Sequence, residues 1–407
     1  MQPLDSNAVE GVSRDEPAWL AELRTEWWSR VEADPWPTGA EEEWRRTSLD
    51  NLPRDGGLLL DAPVATYELD PRLAERGVIF SDLASAIWEH GDLVRAHLGR
   101  HETLSAQMPF WARSLAAWTG GTFLYVPKGV TMDVPLTART TLPSGAYTYL
   151  PHTLVVVEEG ASATLLEEVS SPDGQPVWFG GTADVRAGYG ARLRYANLQR
   201  LGDEVWRIGA QRVEVGQDAN VTTLNAEIGS AISKVGMDVR MTGKGGSSRL
   251  LGLLAAGDAQ SIDFNSVQDL IGSHTTSDLL YLSALYGASH ASFYGVTRVR
   301  PEAKQTSSYQ ECRNLLLSPN AGAEPIPVLE IETNDILRCG HGATAGAIDP
   351  VQRFYAQSRG MSAESAERMI VRGFFERVVA QIDSEPIKAR VLDALAARIG
   401  SADEAAA

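Results

Sequence analysis

Both cysteines of this 407-residue chain, one of its histidines and several carboxylates fall in Glu311–Gln357, ECRNLLLSPNAGAEPIPVLEIETNDILRCGHGATAGAIDPVQRFYAQ. Cys339 and His341 stand two apart. If Ile336 to His341 continues a strand, their side chains leave from one face and Gly340 takes the other. A thiolate beside an imidazole is a soft-metal corner. Cys312, and the carboxylates Glu330, Glu332 and Asp335, can join it only if the strands that carry them are neighbours. Two thiols and one histidine fall short of a closed zinc site, which takes four ligands and usually shows CxxC spacing. Cys312 reads equally as a ligand or as core filler, since free cysteine is among the most buried residue types. His341 precedes GATAG, a small and turn-prone run that favours exposure.

Other signatures are missing. TGKGGSSR from Thr242 is no phosphate loop, because Asp238 stands where the first glycine belongs and Gly245, not Ser or Thr, follows Lys244. Neither a GxSxG elbow nor an HExxH pair occurs. With 36 Lys plus Arg against 53 Asp plus Glu, the formal charge is −17, so nucleic acid and anionic lipid are disfavoured as partners. No run approaches the ~18 apolar residues of a membrane span. The opening MQPLDSNAVEGVSRDEP lacks a basic segment leading into an apolar one, so the expected location is the cytoplasm. Two cysteines form no disulfide framework, in keeping with a reducing compartment.

The elements that must position these residues follow from periodicity. Residues 1 to about 17 are acidic and polar and are expected to be disordered. Trp19, Leu20, Leu23, Trp27 and Val31 predict a helix over Glu16–Ala33, ended by Pro35 and Pro37. A loop and short helix are expected in PWPTGAEEEWRRTSLDNL, a second helical pattern over Ile79–Leu98, and a third over Ser105–Trp118 closed by Gly120 and Gly121. Residues 1–120 thus read as mainly helical. From 121 to 348 the texture is short alternating runs broken by Gly, Asn and Asp, an all-β region. Within it EEGASATL, RAGYGARL and EVGQDANV place glycine at 160, 188 and 216, steps of 28 and 28, and MTGKGGSSRL places Gly243 a further 27 on. Units of strand, turn and strand at such a period predict a β-solenoid, with a sandwich or barrel as the alternative. Residues 349–407 return to helix. Ser362 caps the first of two, striped by Ile370, Phe374, Val378 and Ile382 with Val371 and Phe375, and the second runs from Glu385 to Gly400. These stripes either pack on each other or keep a face for a partner protein.

PWPTGAEEEWRRTSLDNL, the β region with its glycine turns, ILRCGHGATAGAIDPVQRFYAQSRGMS and ERMIVRGFF together resemble the SufB/SufD family of iron–sulfur cluster assembly proteins. The match covers most of the chain after residue 35, and HGATAGAIDPVQRFYAQSRG is its most specific part. The chain is most like SufD, with a shorter N-terminal region and His341 where SufB-type chains carry an acidic residue. The resemblance implies a mainly β fold, a right-handed parallel β-helix between helical N- and C-terminal regions. It also implies a non-catalytic role in a cytoplasmic complex with SufB and two copies of the SufC ATPase. By position, His341 matches the SufD histidine facing SufB and implicated in nascent cluster formation. Cys312 falls where SufB-type chains have an essential cysteine, a thiol that many SufD chains lack. Cys339 gives the CxH spelling common in SufD-like chains. Arg359, Gly360, Met369, Ile370, Gly373 and Phe374 match the tail that docks SufC. A transient iron–sulfur cluster at the SufB interface, and reduced flavin in the complex, belong to the same expectation. Two readings compete with it. A β-helix enzyme acting on acidic polysaccharide would need a dense aspartate array for calcium, which is missing, and a purely structural partner would hold no metal. Whether the isolated chain pairs with itself stays open.

Overall fold

The computed structural model describes residues 4–33, 36–61, 63, 65–100 and 108–405. Its first part comprises α1 (Ser6–Ser13), α2 (Ala18–Ala33), a single 3-10 turn at Glu42–Trp44, α3 (Pro71–Glu75), strand β1 (Ile79–Asp82), α4 (Leu83–Glu89), α5 (Gly91–His97) and α6 (Met108–Ala117). From Thr122 the chain winds in coils of two strands, because runs rich in β-branched and apolar residues are broken at the corners by Gly, Asp and Asn. The early strands are β2 (Thr122–Val126), β3 (Leu136–Thr141), β4 (Thr148–Tyr149), β5 (His152–Val157), β6 (Ser162–Ser170), β7 (Trp178–Phe179), β8 (Thr182–Ala187) and β9 (Arg192–Arg200). The middle coils are β10 (Trp206–Val215) with β11 (Asn220–Glu227), β12 (Ile232–Met241) with β13 (Ser247–Ala256), and β14 (Ser261–Leu270) with β15 (Thr276–Leu285). The last are β16 (His290–Val299) with β17 (Thr306–Leu316), and β18 (Gly322–Ile331) with β19 (Ile336–Ala347).

Each strand pairs in parallel with its equivalent one coil away. The first sheet runs β2-β5-β8-β10-β12-β14-β16-β18, with β1 added antiparallel on β2, and the second runs β3-β6-β9-β11-β13-β15-β17-β19. This is a parallel β-solenoid of about eight turns, and the sandwich and barrel alternatives fall away. The repeat needs one correction. His152 lies beside Thr182, so the first step is 30 (182 − 152), while Ala187 lies beside Val215, a step of 28 (215 − 187). The coil equivalent of Gly160 is therefore Gly190, and that of Gly216 is Gly188.

One corner recurs in coil after coil. Gly129, Gly160, Gly190, Asp218, Gly245, His274 and Gln305 all hold positive φ, from +53° to +73°. Each donates its N–H to the next coil, as in Gly160 to Tyr189 O (2.8 Å), Gly190 to Gln217 O (2.8 Å) and His274 to Lys304 O (2.8 Å). The rejected phosphate loop TGKGGSSR is one copy of this corner, between β12 and β13. Inside, Val, Leu and Ala fill the lumen around a run of stacked rings, Phe264, Tyr281 and Phe293, with centroids 4.6 and 5.5 Å apart.

The N-terminal helices cover the outer face of the early first-sheet strands, burying Trp111, Trp118 and Leu115 against Leu154, Val156 and Ile208. Arg24 of α2, fully buried, is held by Glu16 (2.7 Å) and by the Trp118 ring (4.5 Å). Three expectations change here. α1 is a helix capped by Asp5, within the stretch expected to be disordered, although residues 1–3 lie outside the described residues. Ile79–Leu98 begins as a strand, since Ile79–Asp82 extends antiparallel beside Thr122–Tyr125 before the helical spacing takes over. The expected helix start at Ser105 and the stop at Pro35 lie outside the described residues. At the other end, α7 (Pro350–Ser358), α8 (Ala363–Val379) and α9 (Glu385–Ala405) follow, and α9 runs past Gly400, the predicted stop. The apolar stripes of α8 and α9 lie chiefly on the outer face of the second sheet. There Val371, Phe375, Val378, Val391 and Leu395 join Leu224, Leu251, Leu253 and Leu282 in one core.

Candidate functional site

The last coil ends the solenoid, and its lumen side carries the residues singled out first. β17 and β19 are neighbours: Ser308 lies beside Cys339, Gln310 beside His341, and Cys312 beside Ala343. Ser308, Gln310 and Cys312 are buried. Their partners therefore turn to the same, inner side of the strand, where among the described residues no further coil closes over them. Cys339 is half-buried against the core, and His341 is exposed at the lip.

Cys312 sits one layer deeper and is only 5 % exposed. It stands beside Tyr281, and Asn314 Nδ2 approaches its sulfur at 3.7 Å. Burial pushes its thiol up to about 12, so at neutral pH it is a protonated, inert group. Burial also raises the Cys339 thiol. Cys312 and His341 are two residues out of register on adjacent strands, which places their Cα atoms about 8 Å apart from a strand spacing of about 4.8 Å and a rise of about 3.3 Å.

The carboxylates do not converge on this corner. Glu330 lies on β18 and accepts from Arg298 Nε at 2.5 Å. Asp335 accepts from the Gln305 side chain, and Glu332 is exposed beyond the end of β18. Among the described residues no three His, Cys, Asp or Glu side chains form a group fit to hold a metal ion. The lip therefore offers one accessible imidazole with one partly shielded thiol, an incomplete set that a second surface would have to finish.

The C-terminal helices carry the other predicted residues. Asp349 caps α7 through Val351 N (2.9 Å) with Pro350 in its first turn, and Ser362 caps α8 through Ser365 N (3.1 Å). Arg359, Gly360, Met369 and Gly373 are exposed, and Ile370 and Phe374 are half-buried, so the group stays at the surface while Val371 and Phe375 face the sheet. Sequence reasoning missed an adjoining apolar face on α7: Val351, Phe354 and Tyr355 are 71 %, 71 % and 59 % exposed. Their spacing of three and four along a short helix was the available signal. Arg353 to Glu367 (3.1 Å) links α7 to α8.

Residues 141–374 match the family described as SUF system FeS cluster assembly, SufBD core domain. The chain is also similar to the iron–sulfur cluster assembly SufBD family protein of Staphylococcus epidermidis, 27% identical over 326 residues that cover 80% of this chain and 70% of the relative. A protein of the same description from Mycobacterium leprae is 26% identical over 373 residues, covering 90% of this chain and 91% of the relative. Among the described residues no helix is long and apolar enough to cross a membrane. With the family match spanning more than half of its length and the solenoid carrying it, the chain belongs to the SufBD family of SUF-system iron–sulfur cluster assembly proteins.

Proposed function

We propose that this chain is the SufD-type, non-enzymatic wall of a cytoplasmic assembly scaffold, pairing with a SufB-type subunit through the open end of its solenoid and carrying a SufC-type ATPase on its C-terminal helices. The observation that supports this reading best is the placement of His341: exposed on the terminal strand, on the lumen side, with an incomplete donor set around it. A nascent cluster is then cargo, held between the His341 imidazole, with Cys339 in reserve, and groups supplied by the sister subunit. Cys312, buried and protonated, serves as core beneath that lip rather than as a first contact. Reduced flavin belongs to the assembled complex in this reading, as an electron source for the cargo.

The ATPase would rest on the surface formed by Arg359, Gly360, Met369, Ile370, Gly373 and Phe374, extended by Val351, Phe354 and Tyr355 of α7. α8 is tied to the last coils by the packing of Val371 and Phe375 on the second sheet and by the Arg377–Glu311 pair (2.8 Å), and α7 is tied to α8 by Arg353–Glu367. Closing two ATPases on each other would therefore load the joint as a rigid-body movement. The test is anaerobic co-purification with the SufB- and SufC-type subunits of the same organism, with iron, sulfide and flavin measured. His341→Ala is expected to keep the complex intact and lower its iron and sulfide content at least about tenfold. Unchanged cluster formation would end the ligand role and leave the scaffold role standing. Failure to co-purify would end the reading as a whole.

A further inference from the structure

The lumen of the early coils holds a gap that the strand register explains. Thr153, Ala183 and Gln211 of the first sheet stack in one column, and Glu167, Asn197 and Asn225 of the second sheet stack opposite them. Each residue of the first column stands 14 positions before its counterpart, since 167 − 153, 197 − 183 and 225 − 211 all equal 14. In the first of these coils Thr153 Oγ1 donates to Glu167 at 2.7 Å, and in the third Gln211 Nε2 donates to Asn225 at 2.8 Å. Between them Ala183 is too short to reach Asn197. The result is a chamber of about 60 Å³, room for about four waters at about 15 Å³ each. The second column meets another short residue at Gly252, but there the Tyr281 ring of the next coil occupies the space.

The walls of this chamber offer oxygen acceptors and little positive charge. Glu167 takes the Thr153 hydroxyl on one oxygen and the Tyr195 hydroxyl on the other (2.5 Å), which leaves lone pairs on both. Among the described residues no Lys, Arg or His pairs with it. Arg207, whose guanidinium lines the chamber, is already matched by the fully buried Glu227 at 3.2 Å and donates to Asn197 Oδ1 at 3.0 Å. Gln211 is only 4 % exposed and lines the chamber, and its Oε1 has no hydrogen-bond partner. Burial raises the hydroxyls of Tyr67 and Tyr149 in the same wall, and the charges that raise them further, Asp82 and Glu167, are both negative. A buried acceptor without a donor and a carboxylate without a cation are each costly, and one guest relieves both.

We propose that the chamber is a binding site for one monovalent cation, potassium or ammonium, held by Glu167, Gln211 Oε1 and the surrounding hydroxyls. Charge decides the class. With Arg207 and Glu227 cancelling, Glu167 leaves a single negative charge, which matches one monovalent ion and falls short of the several carboxylates that calcium takes. Amide and hydroxyl oxygens replace the water shell of such an ion, as backbone carbonyls do in potassium-selective pores. No thiol or imidazole lines the chamber, so it is separate in place and in chemistry from the soft corner at Cys339 and His341. The bound ion ties Glu167 of β6 to Gln211 of β10 across the intervening coil, and it stiffens the early solenoid whether or not the scaffold reading above holds.

The experiment is equilibrium dialysis of the full chain against rubidium, a potassium-sized probe, with choline chloride holding the ionic strength constant. One ion per chain should be retained, and competition by potassium and by ammonium ranks the two occupants. Potassium or ammonium should also raise the urea midpoint above its value in choline. Glu167→Gln keeps the shape of the side chain and removes its charge. It should weaken retention at least about tenfold and leave the midpoint indifferent to the cation. Ala183→Val fills the gap from the first sheet and should abolish retention at a midpoint in choline close to that of the wild type. Should that variant not fold, anomalous scattering from rubidium-soaked crystals of the wild-type chain gives the second measurement, with a peak expected between Ala183 and Asn197. No retained rubidium together with no rise of the midpoint would mean a chamber of water only and would overturn the proposal. Binding that survives Glu167→Gln, or a peak elsewhere in the molecule, would overturn it as well.

Discussion

His152 is wholly buried on β5, with Nδ1 2.8 Å from Thr182 Oγ1, the Trp111 ring edge-on at 5.9 Å, and Asp184 and Arg24 as the nearby charges. Burial lowers its pKa from 6.5 to about 4. The native state thus keeps it neutral in a range where the unfolded chain takes up a proton. Its contribution is complete above about pH 6.5 and is lost as pH falls toward 4, amounting to about 2 kcal/mol between pH 7 and pH 5. Urea unfolding at the two pH values should show that loss, and His152→Asn should be less stable at pH 7 but flatter across the window. An equal slope in the variant would assign the acid sensitivity to other groups. The chemistry of the open end was partly legible at this scale. A two-residue spacing sufficed to put Cys339 and His341 on one side of one strand. That Cys312 lies one layer inward depends on which strand follows it at the end of the solenoid, and no local pattern encodes that.

At the scale of elements, the corners decide the winding. Gly190 holds φ +63°, and a Cβ built there meets nothing within 4 Å, so Gly190→Ala costs only the left-handed backbone, about 1 kcal/mol. Gly252 lies in the middle of β13, where a Cβ would come within 2.1 Å of the Tyr281 ring. Gly252→Ala must displace a lumen ring and is expected to cost more, about 1–3 kcal/mol. Chemical unfolding of the two variants should rank them in that order, and the reverse order would mean that the corner, not the filling, limits stability. The same corners explain what the repeat showed and what it hid. Glycine and alanine spacing revealed stacked units because corners and the alanines just inside them recur. Yet RAGYGARL has glycines at both 188 and 190, so matching on glycine aligned the wrong one and shortened the first coil by two. α1 escaped notice because its apolar face, Ala8, Val9 and Val12, spans little more than one turn, too short to stand out as a period, and the helix is set by the Asp5 cap and by burial of Ala8 and Val9.

Across the whole molecule, one crossing segment ties the N-terminal helices to the far coils. Lys234 of β12, fully buried, pairs with Asp263 of β14 at 2.6 Å. Its ammonium also donates to Glu43 O and lies 4.9 Å from the Trp44 ring, and Thr47 donates to the same carboxylate at 2.7 Å. Two residues before Ser48, Arg46 reaches Glu324 on the terminal β18 at 2.8 Å. The exposed Arg46 contact is worth little by itself. The buried pair is different, because removing one member leaves the other charge stranded without water. Asp263→Asn should therefore destabilise the chain by about 3 kcal/mol or more, and Lys234→Met somewhat less, since Asp263 keeps the Thr47 hydroxyl. The double variant, with no stranded charge, should lose clearly less than the two singles together. Because the segment spans from Trp44 to the last coil, loss of the pair should also raise exchange of the Thr47 and Leu52 amides before the sheet itself opens. Additive losses, or unaltered exchange in that segment, would mean that the helices are held by the tryptophan core of α6 and not by this strap.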